Sequence, residues 1–240
     1  MDWFFVENVT PTCLITGEDA HHIAKALRKS VGELLTLCDK DKVQHLCRIE
    51  KISPEGVLVQ VVSASECLHE PSIEVTLIAA LTKGDKMEQV IQKSVELGVH
   101  RIVPVLTDRC ISRPDPKAAA KKHQRYQKIA EQAAMQSQRA IIPSVSEVID
   151  LKEAANTLSS FEKRILFYEG GGAPLRSVIS ENCRSLAIFT GPEGGFEESE
   201  VQLLVSHGAV PTTLGPRILR AETAPLAALA AIFFHTHNME

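Results

Sequence analysis

The chain is short of most features that would classify it at once. No apolar run approaches the roughly 20 residues that cross a bilayer as a helix, so no membrane span is expected. The six cysteines, Cys13, Cys38, Cys47, Cys67, Cys110 and Cys183, form no Cys-x-x-Cys pair and match no zinc spacing with histidine. They read as scattered buried thiols of a cytoplasmic protein, with no metal site. Neither sign of charge dominates, and the formal net charge is −4. That excludes a uniformly basic nucleic-acid binder but leaves room for a local basic face. The opening Met1-Asp2-Trp3-Phe4-Phe5-Val6-Glu7 lacks a positive leader region, so no signal peptide is expected. Internal repeats and low-complexity tracts are absent as well.

What is present is enough to build a core. The 240 residues are 44% hydrophobic and 23% charged, which suits one large or two small globular domains. Strand patterns at Trp3 to Val6, Leu34 to Asp39, Val43 to Ile52 and Gly56 to Val62 surround one helix, about Asp19 to Leu27. Short strands with close turns predict a small β-barrel over residues 1–70. Periodicity is lost from Ser63 to Pro71, which sets the boundary to a second domain at 71–240.

Beyond that boundary strands alternate with helices. Val75 to Leu81 is a continuous apolar strand, and Lys83 to Leu97 a helix with Met87, Val90, Ile91, Ser94 and Val95 on one face, ended by Gly98. A strand at Arg101 to Thr107 precedes a long helix, about Lys117 to Gln138. Strands follow at Arg164 to Tyr168 and Ser185 to Thr190, then a helix at Glu197 to His207. A short strand at Thr212 to Leu214 leads to a last helix, about Glu222 to His235. This order predicts an α/β domain whose mostly parallel sheet is covered on both faces. The last helix is apolar nearly all round, as if buried on more than one side, against the sheet and against a partner subunit.

Two segments stand out. The first is Gly191-Pro192-Glu193-Gly194-Gly195, directly after a strand. Its glycines allow special backbone angles and leave little side-chain bulk, so a ligand could lie against the main chain. The helix after it opens with Glu197, Glu198 and Glu200, which would repel a phosphate. The loop also lacks the P-loop lysine and the dinucleotide spacing. A ligand here would carry little negative charge; the alternative is a tight structural turn. The second segment is Leu214-Gly215-Pro216-Arg217-Ile218-Leu219-Arg220-Ala221-Glu222-Thr223-Ala224. Arg217, Arg220 and Glu222 suit substrate positioning or acid–base work, or else are a solvated pair ahead of a helix.

Basic residues gather elsewhere. Lys117, Lys121, Arg125 and Lys128 share a stripe of the long helix, suited to phosphate contact or simply to water. Arg28 and Lys29 belong to a modest positive excess in the first domain, which suits an RNA-binding accessory. His21-His22 is a poor metal pair, because neighbours on a helix diverge.

The chain resembles the bacterial 16S ribosomal RNA uridine-N3 methyltransferases of the SPOUT superfamily. The match rests on His22, Leu27-Arg28 and Gly32; on Lys83-Gly84-Asp85-Lys86-Met87, Gln92-Lys93 and Glu96-Leu97-Gly98-Val99; and on the blocks Gly191 to Phe196 with Glu200 and Leu214 to Ala224. Two positions depart from the family pattern. Asp2-Trp3 stands where a basic residue is usual, and Met135 stands where a glutamate usually precedes Gln136-Ser137-Gln138-Arg139.

The resemblance implies a PUA-like barrel followed by a SPOUT domain with a C-terminal trefoil knot, a topology that general folding rules would not suggest. It implies a homodimer acting on 16S rRNA or the assembled small subunit, with S-adenosylmethionine as cofactor. The cofactor would be lined by Leu166, Phe167, Tyr168 and Glu169; by Thr190, Gly191, Pro192, Glu193, Gly194 and Gly195; and by Leu214, Gly215, Ile218, Leu219, Arg220, Thr223 and Ala224. Arg220, then Arg139 and Arg217, would stabilise charge developing on the base, with Glu222 a further catalytic candidate. Lys83 joins Arg28, Lys29 and the helix stripe as an RNA contact. A sulfonium cofactor suits a glycine loop beside glutamates. The alternatives are a non-catalytic RNA-binding or assembly factor of the same fold, and a methyltransferase for another nucleotide.

Overall fold

The computed structural model describes residues 2–239. Two compact units divide the described chain: one runs to Glu70 and takes in Ala134–Ile142, the other comprises Pro71–Ala133 and the residues from Pro143 onward.

In the first unit β-branched and apolar runs make five strands: β1 (Trp3–Phe5), β2 (Thr12–Ile15), β3 (Leu34–Cys38), β4 (Val43–Ser53) and β5 (Gly56–Glu66). They form one sheet in the order β1-β3-β4-β5-β2, with β1 parallel to β3 and the other pairings antiparallel. Phe4 from one edge strand and Ile15 from the other meet Leu37, Ile49 and Val59 in a single buried cluster. Both edges thus converge on one core, as in a small barrel. Strand β2 carries no alternation that the sequence could reveal, since only Ile15 of its four residues is buried.

Helix α1 (Gly17–His21) passes into a π-helical turn over His22–Ala26, where the predicted α-helix would continue. The wider turn has the Leu27 amide donating to the His22 carbonyl at 2.9 Å, and it leaves Arg28 at φ 53. The two departures from the family pattern have local explanations in this unit. Asp2 lies 2.7 Å from the Lys29 ammonium, and Met135 packs against the apolar core, where a carboxylate would be desolvated.

The second unit holds an eight-stranded sheet built from β6 (Glu74–Ala80), β7 (Arg101–Leu106), β8 (Ser144–Val145), β9 (Ile149–Asp150), β10 (Lys163–Phe167), β11 (Ala173–Pro174), β12 (Ser185–Thr190) and β13 (Val210–Thr213). Every pairing is parallel, in the order β11-β13-β10-β12-β6-β7-β8, with β9 beside β7. Strands β6 and β12 are buried along nearly their whole length, which is why they read as unbroken apolar runs.

Helices α2 (Lys86–Leu97), α3 (Pro116–Gln136), α4 (Leu151–Asn156), α5 (Leu175–Val178), α6 (Glu198–Ser206) and α7 (Ala224–His235) complete the chain. The expected face of α2, Met87, Val90, Ile91, Ser94 and Val95, is the face that is buried. Its large apolar side chains contribute about 1.5–3 kcal/mol each. Gly98 ends the helix at φ 111, as a left-handed cap requires. Helix α7 packs on α2 and β6 through Ala228, Leu229, Ile232 and Phe233, while Phe234 on its other side is 68% exposed.

The strand order places the site. The chain leaves β10, makes β11 two positions away, and returns to β12 on the other side of β10. Strand β13 then enters the gap between β10 and β11. The C-terminal part is therefore inserted into an excursion closed earlier, in keeping with the knot that the resemblance implies. From β13 the chain must return to α7 on the β6 side. It does so past the carboxyl ends of β10 and β12, where open α/β sheets bind ligands.

Candidate functional site

The loop after β12 is fastened from several directions. Gly195 has φ 71, and a Cβ there would lie 1.8 Å from Glu169 Oε1, so the loop carries no side chain where the Glu169 carboxylate approaches. Arg109 donates to the Gly194 carbonyl at 2.8 Å and makes two bonds to the Glu197 carboxylate, at 2.8 and 3.0 Å. Glu197 and Glu200 form a reciprocal capping box at the start of α6. Buried Glu200 also accepts the Asp108 amide at 2.8 Å. The helix start is occupied by the chain's own carboxylates.

The segment after β13 is held at its ends. The Thr213 hydroxyl donates to the Gly215 carbonyl at 3.0 Å. The amides of Thr223 and Ala224 donate to the Arg220 carbonyl at 2.8 and 2.9 Å, which makes the turn into α7. Between these points Arg217 and Arg220 are exposed, and neither guanidinium has a hydrogen-bond or ion-pair partner among the described residues. Ile218 beside them is 86% exposed.

A third loop, after β6, joins the two. The Lys83 amide donates to Glu193 Oε1 at 3.1 Å. Lys86 Nζ lies 3.4 Å from Glu193 Oε1 and 3.1 Å from Glu222 Oε2. Glu222 Oε2 is sealed from solvent without a hydrogen bond of good direction, so its partner is the ammonium charge. The titration tendencies fit. Burial pushes the Glu193 carboxyl up, but its own amide, the Lys83 amide and the Lys86 ammonium together hold it below the usual range. Glu222 is held low by its own backbone amide, against burial, and then by Lys86 and Arg220. Lys86 is raised, chiefly by Glu222.

The first two of these loops line a cavity of about 600 Å³. Its walls include Phe167, Tyr168 and Glu169 from the end of β10, Thr190 and the whole 191–195 loop, and Leu214, Gly215, Arg217, Ile218, Leu219, Arg220 and Ala224. Thr212, Thr213, Pro216 and Ala221 complete the lining. Two expected residues lie apart: Leu166 is fully buried inside the sheet, and Thr223 is not among the lining residues. Arg139 is not in the lining either. It is 3% exposed in the first unit and bound to Glu70, whose carboxylate also accepts the Ala140 amide at 2.8 Å. Lys86 and Arg109 carry the bracing, and neither is marked as a site residue by its local sequence. Their ion-pair partners lie 88 to 136 positions away in the chain, counted from Arg109 to Glu197 (197 − 109) and from Lys86 to Glu222 (222 − 86).

The basic residues divide similarly. Lys83, Lys117 and Lys121 are exposed without an ion pair among the described residues, and Arg28 is exposed. Arg125 pairs with Glu88, Lys128 lies 3.6 Å from Glu131, and Lys29 is engaged by Asp2 and Glu33.

A two-unit chain with a main-chain-walled crevice at the carboxyl ends of a parallel sheet is a cofactor-binding α/β protein. The chain belongs to the RNA methyltransferase family: the RNA methyltransferase domain model matches residues 69–233 and the RNA methyltransferase PUA domain model residues 15–62. It is 38% identical over 233 residues to ribosomal RNA small subunit methyltransferase E of Bacillus subtilis, covering 94% of this chain and 91% of that protein. The protein of the same name from Buchnera aphidicola is 28% identical, with 91% and 86% covered. Among solved structures, ribosomal RNA small subunit methyltransferase E from Neisseria gonorrhoeae bound to S-adenosyl methionine superposes with a TM-score of 0.88 at 34% identity, covering 98% of this chain and 97% of that one.

Proposed function

We propose that the protein methylates uridine N3 in 16S ribosomal RNA with S-adenosylmethionine as donor, working as a cytoplasmic homodimer. The observation that carries this reading is the pairing of a main-chain-walled cavity with two exposed arginines that have no hydrogen-bond or ion-pair partner among the described residues. The lining fits the cofactor: glycine main chain admits close approach, and the Glu169 and Glu193 carboxylates suit a cationic ligand. When bound, S-adenosylmethionine supplies a methyl group on a sulfonium, open to displacement by a nitrogen held in line.

Within the cavity Gly191 to Gly195, Tyr168 and Leu214 to Leu219 hold the donor. Arg220, and Arg217 beside it, donate to the charge that builds on the uracil as its N3 proton leaves. Glu222 is a poor base, since a carboxylate held below its usual range takes protons weakly. It anchors the loop instead. Arg139, buried against Glu70, acts through the stability of the first unit. Residues 1–70 serve as the RNA-binding domain and 71–240 as the transferase domain, with Lys83, Lys117, Lys121 and Arg28 as the available phosphate contacts and Arg125, Lys128 and Lys29 mainly structural. The exposed Phe234 on α7 supports a second subunit on that side.

Mass spectrometry of 16S rRNA from cells with and without the protein tests the reading. Loss of one N3-methyluridine without it is expected, and an unchanged modification profile overturns the substrate assignment. Absence of any S-adenosylmethionine binding by calorimetry favours a non-catalytic RNA-binding factor. Sedimentation at micromolar protein tests the dimer; a monomer contradicts it.

A further inference from the structure

We infer that Lys86 is the positioning residue that locks the arginine-bearing segment against the glycine loop. One ammonium contacts a carboxylate from each loop: Glu193, 3.4 Å away, and Glu222, 3.1 Å away. Lys86 opens α2, whose apolar face is buried, so the ammonium projects from a fixed base. Glu193 is held a second time by the Lys83 amide. For Glu222 Oε2, Lys86 is the one ion-pair partner among the described residues.

The consequence reaches Arg220 through the backbone. The turn closed by the Thr223 and Ala224 amides on the Arg220 carbonyl brackets Glu222. Holding the Glu222 side chain therefore fixes the turn from which the Arg220 guanidinium extends. A guanidinium with no hydrogen-bond or ion-pair partner among the described residues depends on its backbone for its direction. Both carboxylates would repel each other without a cation between them, and the two loops would separate at that point. A single-point brace of this kind fixes geometry, where small misplacements cost large factors in rate.

This inference rests on the methyl-transfer reading, so its test has a readout independent of activity. Hydrogen–deuterium exchange is followed on the full chain without ligand for wild type, Lys86→Met and Lys86→Arg, beside kcat and KM on 16S rRNA. In Lys86→Met, exchange at residues 219–224 is expected to rise about tenfold. Its kcat is expected to fall on the order of 10- to 100-fold with KM for the RNA little changed. Lys86→Arg keeps a cation between the carboxylates and recovers a large part of both. Unchanged exchange at 219–224 overturns the brace. Raised exchange with wild-type kcat overturns the positioning role. An inactive wild type that still shows raised exchange in Lys86→Met defeats the methyl-transfer reading alone and leaves the brace standing.

Discussion

The loop after β12 and the segment after β13 line the same cavity, and they are held in opposite ways. The first has Arg109 on its carbonyl, Glu169 against its bare Gly195, and a helix start closed by Glu197 and Glu200. The second is tied at Thr213, Glu222 and the turn into α7, and between them carries exposed Arg217, Ile218 and Arg220. A braced loop has little left to rearrange when a donor arrives, so it suits a cofactor that must sit in one place. Unpaired cationic groups are costly to leave inside a fold but ready for an incoming anion, so they suit the substrate side.

The largest effects are expected at the arginines. Arg220→Ala is expected to lower methyl transfer by ~10²–10³, as for one lost oxyanion donor, with thermal stability nearly unchanged. Arg139 is the contrasting case. Arg139→Met leaves the partly buried Glu70 carboxylate without its cation and is expected to cost about 3 kcal/mol in urea unfolding. Activity per folded molecule should survive; a stable Arg139→Met protein with no transfer would return Arg139 to the chemistry.

Gly195→Ala attacks the braced loop. Alanine is strained at φ 71, and Glu169 must swing away to admit the methyl group. Binding of S-adenosylmethionine is expected to weaken roughly tenfold or more, read by calorimetry. Arg109→Ala should weaken it only a few-fold, because its ion pair with Glu197 is about half exposed to solvent and screened. The smallest effect concerns pH. Glu193 and Glu222 have folded-state values below those of the unfolded chain, so their contribution is present above about pH 4.3 and is lost only as the pH falls below it. Lys86, raised in the fold, keeps its charge up to at least about pH 10.4. Cofactor affinity should be level between about pH 5 and pH 8, and a steep fall near pH 6 would point to a histidine instead.

The sequence made some of this legible and hid the rest for physical reasons. Strand β12 was found to the residue, and the buried face of α2 was found in full, because burial on a regular element leaves a period. The glycine loop and Leu214 to Ala224 stand out by composition, and all of their residues except Glu222 and Thr223 line the cavity. The two-residue strands β8, β9 and β11 leave no period at all. The π-helical turn at His22–Ala26 looks like any helix in one dimension. Nothing local tells Arg139 from Arg220: the first is bound by Glu70, 69 positions away, and the second has no hydrogen-bond or ion-pair partner among the described residues. Lys86, likewise, is an ordinary helix-start lysine until Glu193 and Glu222 are brought to it.

The division between a braced cofactor side and a free substrate side is tested most directly by titrating S-adenosylmethionine into Gly195→Ala and Arg220→Ala in parallel, with transfer to 16S rRNA measured on the same samples. The predicted result is crossed. Gly195→Ala loses affinity and recovers part of its transfer at high cofactor concentration, while Arg220→Ala binds within about threefold of wild type yet stays inactive at saturation. Equal loss of binding in both variants, or full transfer by Arg220→Ala, would contradict it.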